Sequence, residues 1–426
     1  MEKYDSVIIG GGISGLFIAY KLSQSGKKVI VIEKEKNLGG MLRSLKINDF
    51  YIEEFYHHIF SENKLAIGLI EELGLKGRLK WDEASTSFFY NNKFYNLTKP
   101  TDLLGFGPLN FYEKTQLALF LLSIKLLKNP GKFDNISAEE FIIKRAGNSV
   151  YRKFFRPLLS AKYSKNLDKI SATWFIERIN LRNNRGYKGE ILGYLEGGFQ
   201  QIIDKLREKI LSNKGKIILG TEIKKIHCAD DKAVYLELKN KKIYAENFIS
   251  TISGPALEKI CNFNEDYRNR LNALENQGTI CIILGLNRKI SKFYWTNLID
   301  ETIPFRALIE HTNFQSYSAY KCHLVYLASY PEKNSAFWNL SEEELFKNYL
   351  ESLKKISGIT DSDVQWYRII REENAGLIYT KGSLKKILPV RTPIKNLFIA
   401  GMLNSYPDRN LEQSLKLSKR VLNEIK

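Results

Sequence analysis

Residues 4–15 read Tyr4-Asp5-Ser6-Val7-Ile8-Ile9-Gly10-Gly11-Gly12-Ile13-Ser14-Gly15, and residues 28–33 read Lys28-Val29-Ile30-Val31-Ile32-Glu33. The first run is a short apolar strand that enters a glycine-rich turn. A helical pattern follows (Leu16, Ala19, Tyr20, Leu22), and the second run is another strand ending on an acid. Gly10 permits the tight turn, Gly12 lets backbone approach a pyrophosphate, and Gly15 lets helix and strand pack closely. The N–H groups and dipole at a helix start favour phosphate charge. Glu33 falls where a carboxylate accepts hydrogen bonds from adenosine ribose hydroxyls and repels a 2′-phosphate. A lone glycine triad is weak, but strand, helix and acid here agree on a dinucleotide site.

The continuation narrows the ligand. Leu38-Gly39-Gly40-Met41-Leu42-Arg43 resembles the GGxxR segment of the FAD-dependent amine oxidases, protoporphyrinogen oxidases, phytoene desaturases and UDP-galactopyranose mutases. In those families the second glycine pair and the arginine carry the chain past the cofactor phosphates toward the flavin. The segment Tyr194-Leu195-Glu196-Gly197-Gly198, a helix from Gln200 and a strand before Thr221-Glu222-Ile223 are similar to the family's second adenosine-side element. There the residue matching Ile223 holds adenine through its backbone. Asn396-Leu397-Phe398-Ile399-Ala400-Gly401 resembles the family's last strand, and the helix after it is expected to point its N-terminus at the flavin. Met402 stands where relatives often carry an acid for the ribityl chain. No cysteine lies in that segment, so the FAD is expected to be non-covalent. The resemblance assigns cofactor contacts to Gly10, Gly12, Ile13, Ser14, Gly15, Glu33, Lys34, Gly40, Met41, Arg43, Ile223, Gly401, Met402 and Leu411.

The implied fold is α/β: a Rossmann-like FAD-binding domain (1–80, 194–265, 375–426) interrupted twice by an α+β substrate domain (81–193, 266–374). At 426 residues and 44% hydrophobic, the chain is long enough for two cores. No run of about 18 apolar residues occurs, so no membrane-spanning helix is expected. Met1 leads into the first strand within four residues, and no signal peptide is expected. The four cysteines (228, 261, 281, 322) show no CxxC and read as buried thiols in a reducing cytoplasm. No metal site is expected, since the histidines form no ligand cluster. The net charge of +18 is spread along the chain without a nucleic-acid motif. It fits attraction of an anionic small substrate or an acidic membrane surface, and nucleic acid is not an expected partner.

Four stretches leave alternatives open. His58-Ile59-Phe60 resembles the flavin-side loop of the mutases, so His58 either faces flavin or substrate or is part of an ordinary aromatic segment. The apolar run Leu117–Leu127, flanked by lysines across 114–128, is either a buried helix or an interfacial one making peripheral contact with the inner membrane face. Trp174, Arg178 and Arg182 share a helical face that either clamps an anion or is a solvated stripe. Arg306 and Glu310 share a strand face that either lines a pocket or forms an ion pair.

His58 and Arg306 are the candidate catalytic residues. The expected activity is that of an FAD-dependent oxidoreductase transferring hydride from a substrate C–H to flavin N5, with an anionic or lipid-linked substrate. The alternative is a non-redox nucleotide-sugar mutase, favoured by His58-Ile59-Phe60, Phe305-Arg306…Glu310 and Asn410-Leu411-Glu412-Gln413. Against it, the second diphosphate-holding arginine falls at Met402 and a tyrosine position falls at Asp408.

Overall fold

The computed structural model describes residues 3–163, 166–181 and 189–425; Arg182 lies outside them. The chain forms two compact units, one of residues 1–80, 194–275 and 386–426, the other of residues 81–193 and 276–385. The sequence reading places the later edges at 266 and 375. The first unit retains the helix Glu265–Asn272, which packs on the helix Gly254–Ile260 of the same unit.

The first unit is built on a parallel sheet. Strand β1 (Lys3–Ile9) sits between β2 (Val29–Ile32) and the strand Lys242–Ser250, with Lys216–Ile218 outside β2 and Leu397–Ile399 beyond Lys242–Ser250. These strands read as unbroken apolar runs because both faces are covered, and Val7, Ile8, Ile30, Val31, Phe248 and Ile249 are fully buried. Helix α1 (Ile13–Gln24) packs against the helices Gln200–Ser212 and Leu411–Glu424. The strands Lys225–Ala229 and Lys232–Glu237 extend the sheet as an antiparallel meander. Register aligns Ile9 with Ile32 and Ser250, and Ser250 with Ile399. Gly10, Glu33, Thr251 and Gly401 therefore follow the carboxyl ends of adjacent strands, where open α/β sheets bind ligands. Helix α2 (Lys64–Glu72) starts on the carboxylate of Glu412, which accepts from Leu65 N at 2.8 Å and Ala66 N at 3.0 Å.

Three cysteines are buried, but Cys228 is exposed because it lies on the outermost strand of this sheet.

The second unit carries a seven-stranded sheet in the order 364–377, 276–286, 323–329, 307–310, 295–298, 86–90, 93–96. One face packs on the helix Glu342–Ser357, through Ile282, Leu284, Leu308 and Leu327 against Leu345, Tyr349 and Leu353. Phe88, on the opposite face, meets Phe106 and Phe154 of the helical part. That part includes α3 (Phe111–Lys125), the apolar segment for which two environments stood open. It is buried on one face only: Leu117, Phe120 and Ile124 are buried, whereas Leu119 and Leu122 are exposed. No helix among the described residues is long and apolar enough to cross a membrane.

Candidate functional site

The glycines of 10–15 and 39–40 lie against one another. Gly39 N donates to Gly11 O at 2.9 Å. A Cβ on Gly40, which has φ +55°, would sit 3.2 Å from the Cα of Gly12. A Cβ on Gly15 would meet the carbonyl oxygen of Gly10 at 2.2 Å, so nothing larger than hydrogen fits between helix and strand. Gly12, by contrast, has φ −74° and no protein atom nearer its Cβ position than 3.9 Å. The protein leaves room there. Gly12 also caps α1 without a side chain, and the N–H groups of Ser14 and Gly15 take no partner among the described residues. A helix start with unmet donors facing a glycine crest is a ready anion site.

Glu33 closes one side of this crest. It is nearly buried, and its carboxylate accepts from Gly11 N at 2.6 Å and Glu35 N at 2.9 Å. Lys34 is exposed beside it, 3.5 Å from Glu35. Thr221 N donates to Glu33 O at 3.0 Å, which brings the segment 220–224 alongside. In that segment the backbone N–H and C=O of Ile223 have no partner among the described residues, although its side chain is buried. On the other side a Cβ on Gly401, which has φ +120°, would lie 3.5 Å from Ser14 Oγ and 3.6 Å from Thr251 O. Met402 is half-buried. Helix Leu411–Glu424 is capped by Asn410, whose side chain accepts from Gln413 N at 2.9 Å, while the N–H groups of Leu411 and Glu412 stay unpartnered among the described residues.

Arg43 has a local role. Its Nε and Nη2 donate to the two carboxylate oxygens of Glu54, each at 2.7 Å, and this pairing holds the guanidinium pKa up. The pair ties the end of the second glycine segment to the residue following the strand Phe50–Glu53. Ile13 and Met41 are half-buried on the same crest.

His58 is half-buried and meets the Phe60 ring edge-on at 5.1 Å. Its neighbour His57 donates from Nδ1 to Phe55 O at 2.6 Å, and desolvation lowers its pKa to about 4. His57 is thus neutral at physiological pH.

Two contributors carried no clear sequence signal. Thr251 donates its hydroxyl back toward Ile9 O and Gly10 O, at 3.0 and 3.2 Å, and so fixes the first turn. Glu53 is fully buried and accepts from Tyr194 Oη at 2.8 Å and Phe199 N at 2.7 Å. Burial raises the Glu53 pKa, and its two bonds stitch the 194–199 segment to the first glycine-bearing piece of chain.

The second unit holds the other candidates. Arg306 donates from Nη1 to Asp300 O at 2.6 Å and from Nη2 to Glu301 O at 3.4 Å. Desolvation lowers its pKa, with the nearby acids opposing. Glu310, fully buried, accepts from Ile290 N at 2.9 Å and from the Ser291 hydroxyl. The structure thus pairs each with its own turn and forms no Arg306–Glu310 ion pair. Trp174 is buried against Tyr163 and Tyr379, and Arg178 follows it half-buried on the same helix.

A parallel sheet whose strand ends carry a glycine crest, an uncapped helix start and a closing acid defines a dinucleotide-binding α/β protein. The chain belongs to the flavin-containing amine oxidoreductases, whose family model matches residues 13–421. It is 25% identical over 271 residues to a probable flavin-containing monoamine oxidase A of Dictyostelium discoideum, covering 60% of this chain and 58% of that one. It is 28% identical over 196 residues to the chloroplastic protoporphyrinogen oxidase 1 of Spinacia oleracea, covering 44% and 34%. Among solved structures, a reduced UDP-galactopyranose mutase superposes with a TM-score of 0.79 at 17% identity, covering 100% of this chain and 94% of that one. The chain spans about half the length of the curated relatives it matches first. The cofactor is FAD, and the residues present fit it: the open space over Gly12, the unmet N–H groups of Ser14 and Gly15, and the unpaired backbone of Ile223 are a dinucleotide's requirements.

Proposed function

We propose that the chain is an oxidoreductase that removes hydride from a C–H bond of a small anionic or lipid-linked substrate. FAD, when bound, supplies the acceptor, its N5 position taking the hydride. The protein's own part is to bind and orient. Ser14 and Gly15 N–H groups hold the pyrophosphate over Gly12, Glu33 accepts from the adenosine ribose, and the Ile223 backbone reads adenine. Lys34 and Met41 border the nucleotide, and Met402 with the Leu411 N–H borders the far end. Arg43, held by Glu54, positions the second glycine pair. The unit of residues 1–80, 194–275 and 386–426 serves as the cofactor domain, and that of 81–193 with 276–385 as the substrate domain.

The single observation that carries this reading is the closure of two glycine segments on each other beside Glu33, at an uncapped helix start. The basic charge of +18 favours an anionic substrate and a place in the cytoplasm at the inner face of an acidic membrane. His57, kept neutral, has no fixed charge to offer, and His58 beside it remains the candidate for substrate contact.

The mutase reading shares the fold but lacks its anion clamp. Arg306 already donates to two turn carbonyls, and Met402 and Asp408 stand where a second arginine and a tyrosine would be needed. Losing one bidentate arginine–phosphate contact removes roughly 1.5–3 kcal/mol. Glu412, within the segment resembling the mutases, caps α2 instead.

The test is anaerobic mixing of the FAD-loaded protein with panels of amines, porphyrinogens and polyenes. Bleaching of the flavin absorbance by a C–H donor is expected. Interconversion of UDP-galactose ring forms by the dithionite-reduced protein, without net oxidation, would replace this reading with the mutase.

A further inference from the structure

Helix α3 carries large apolar side chains on opposite faces, the pattern of a helix covered on both. The structure covers only one side. Leu117, Phe120 and Ile124 face inward at no more than 2% exposure, but Phe111 is 78%, Tyr112 70%, Leu119 62% and Leu122 57% exposed. Leu126, just past the last turn, is 79% exposed, and Leu104 on the preceding turn is 67% exposed. At about 100° per residue, Phe111, Leu122, Leu126, Leu119 and Tyr112 form a stripe along the outer face, with the exposed Thr115 among them. Lys114 anchors Leu104 to this stripe by donating from Nζ to its carbonyl at 2.6 Å.

Charge around the stripe is mostly of one sign, with Asp102, on the turn of Leu104, accepting from Lys99 N. Residues 103–132 contain lysines 114, 125, 128 and 132 and a single acid, Glu113. Glu113 is buried under the helix, where it accepts from Lys153 and Asn110 N and its pKa falls to about 2. Lys125, Lys128 and Lys132 are exposed. A second copy of this chain is a poorer occupant than an anionic surface, since each copy carries a net charge of +18 and the stripe brings lysines of its own.

We propose that this face docks on an anionic lipid bilayer, with the apolar stripe entering the acyl boundary and Lys125, Lys128 and Lys132 at headgroup level. The inference deepens the membrane-side placement proposed above and rests on it. It assigns the contact to Leu104, Phe111, Tyr112, Leu119, Leu122 and Leu126. The inward face of the same helix is core, so the contact is made by a folded surface and requires no unfolding of the helix.

The experiment is sedimentation of the FAD-loaded full chain with phosphatidylcholine vesicles, with and without phosphatidylglycerol, in low and high salt. Binding to the acidic vesicles at low salt is expected. Leu119→Ser/Leu122→Ser/Leu126→Ser should weaken it by about tenfold or more per leucine. Lys125→Gln/Lys128→Gln/Lys132→Gln changes exposed charges only and keeps the fold if the leucine variant does not. It should weaken binding about fivefold per lysine, and the salt dependence should shrink with it. A folded wild type that stays in the supernatant, or variants that bind as tightly as wild type, overturns the proposal. So does a wild-type dimer by light scattering that the leucine variant dissolves. Vesicle binding is read without substrate. A chain that reduces its flavin with substrate but ignores vesicles thus loses this inference and the membrane-side placement while keeping the oxidoreductase reading, and one that binds vesicles without turnover loses only the oxidoreductase reading.

Discussion

Glu33 and Glu310 are both buried carboxylates at the ends of strands, and their surroundings make them opposite kinds of residue. Glu33 accepts from two backbone N–H groups beside a crest of glycines, with unmet donors at Ser14 and Gly15 and open room above Gly12. Glu310 accepts from Ile290 N and the Ser291 hydroxyl, and burial raises its pKa. Its neighbour Arg306 is tied to the carbonyls of Asp300 and Glu301. The first region has polar capacity left for a ligand, and the second uses its capacity to hold a loop. A carboxylate's resemblance to a family motif therefore says less than the partners it already has.

The largest effect that sharpens this contrast is at Gly15. Gly15→Val drives a Cβ to 2.2 Å from Gly10 O, a backbone atom that cannot swing aside. A loss of roughly 3 kcal/mol or more is expected, near the upper range for overpacking, read as a lower thermal midpoint and no retained flavin. Gly12→Ala separates fold from cofactor, because its Cβ meets no protein atom nearer than 3.9 Å. The apoprotein should melt as wild type does, while FAD affinity falls by up to about a hundredfold. Glu33→Ala should weaken FAD by roughly 1.5–3 kcal/mol through a lost charge-assisted hydrogen bond, measured by titration of the apoprotein.

His57 gives a pH signature. Its folded pKa is about 4 against an ordinary 6.5, so the unfolded chain takes up a proton that the folded one refuses. Stability is whole above pH 6.5 and is lost as pH falls toward 4. The loss is roughly 2 kcal/mol once partial exposure is discounted. His57→Asn should flatten that part of the denaturation profile, and an unchanged slope would contradict the assignment. The smallest effect belongs to the second region. Arg306→Ala should cost about 1 kcal/mol of stability by freeing its turn, with turnover changed less than about threefold. A collapse of kcat with unchanged stability would return Arg306 to the substrate.

The sequence was legible where backbone geometry decides. Gly10 to Gly15, Glu33 and Gly40 obey rules that act over a few residues, and unbroken apolar runs placed β1, β2 and Leu397–Ile399 without help from distant contacts. What it hid depends on side-chain partners far along the chain. Glu53 reads as one acid among many until Tyr194 and Phe199 close on it, and nothing in the sequence tells that Glu54 takes the Nε and Nη2 donors of Arg43. The burial of α3 on one face only was also hidden, because large apolar side chains on opposite faces of a helix do not say which face is covered.

The central claim is that the glycine crest beside Glu33 holds FAD without a covalent bond. It is tested most directly by denaturing the purified protein with acid or heat and locating the flavin. The account predicts a yellow protein whose FAD passes into the supernatant, one equivalent per chain, and rebinds to the renatured wild type but up to about a hundredfold more weakly to Gly12→Ala. Colourless protein that cannot be loaded with FAD, or flavin that stays with the precipitated chain, would contradict it.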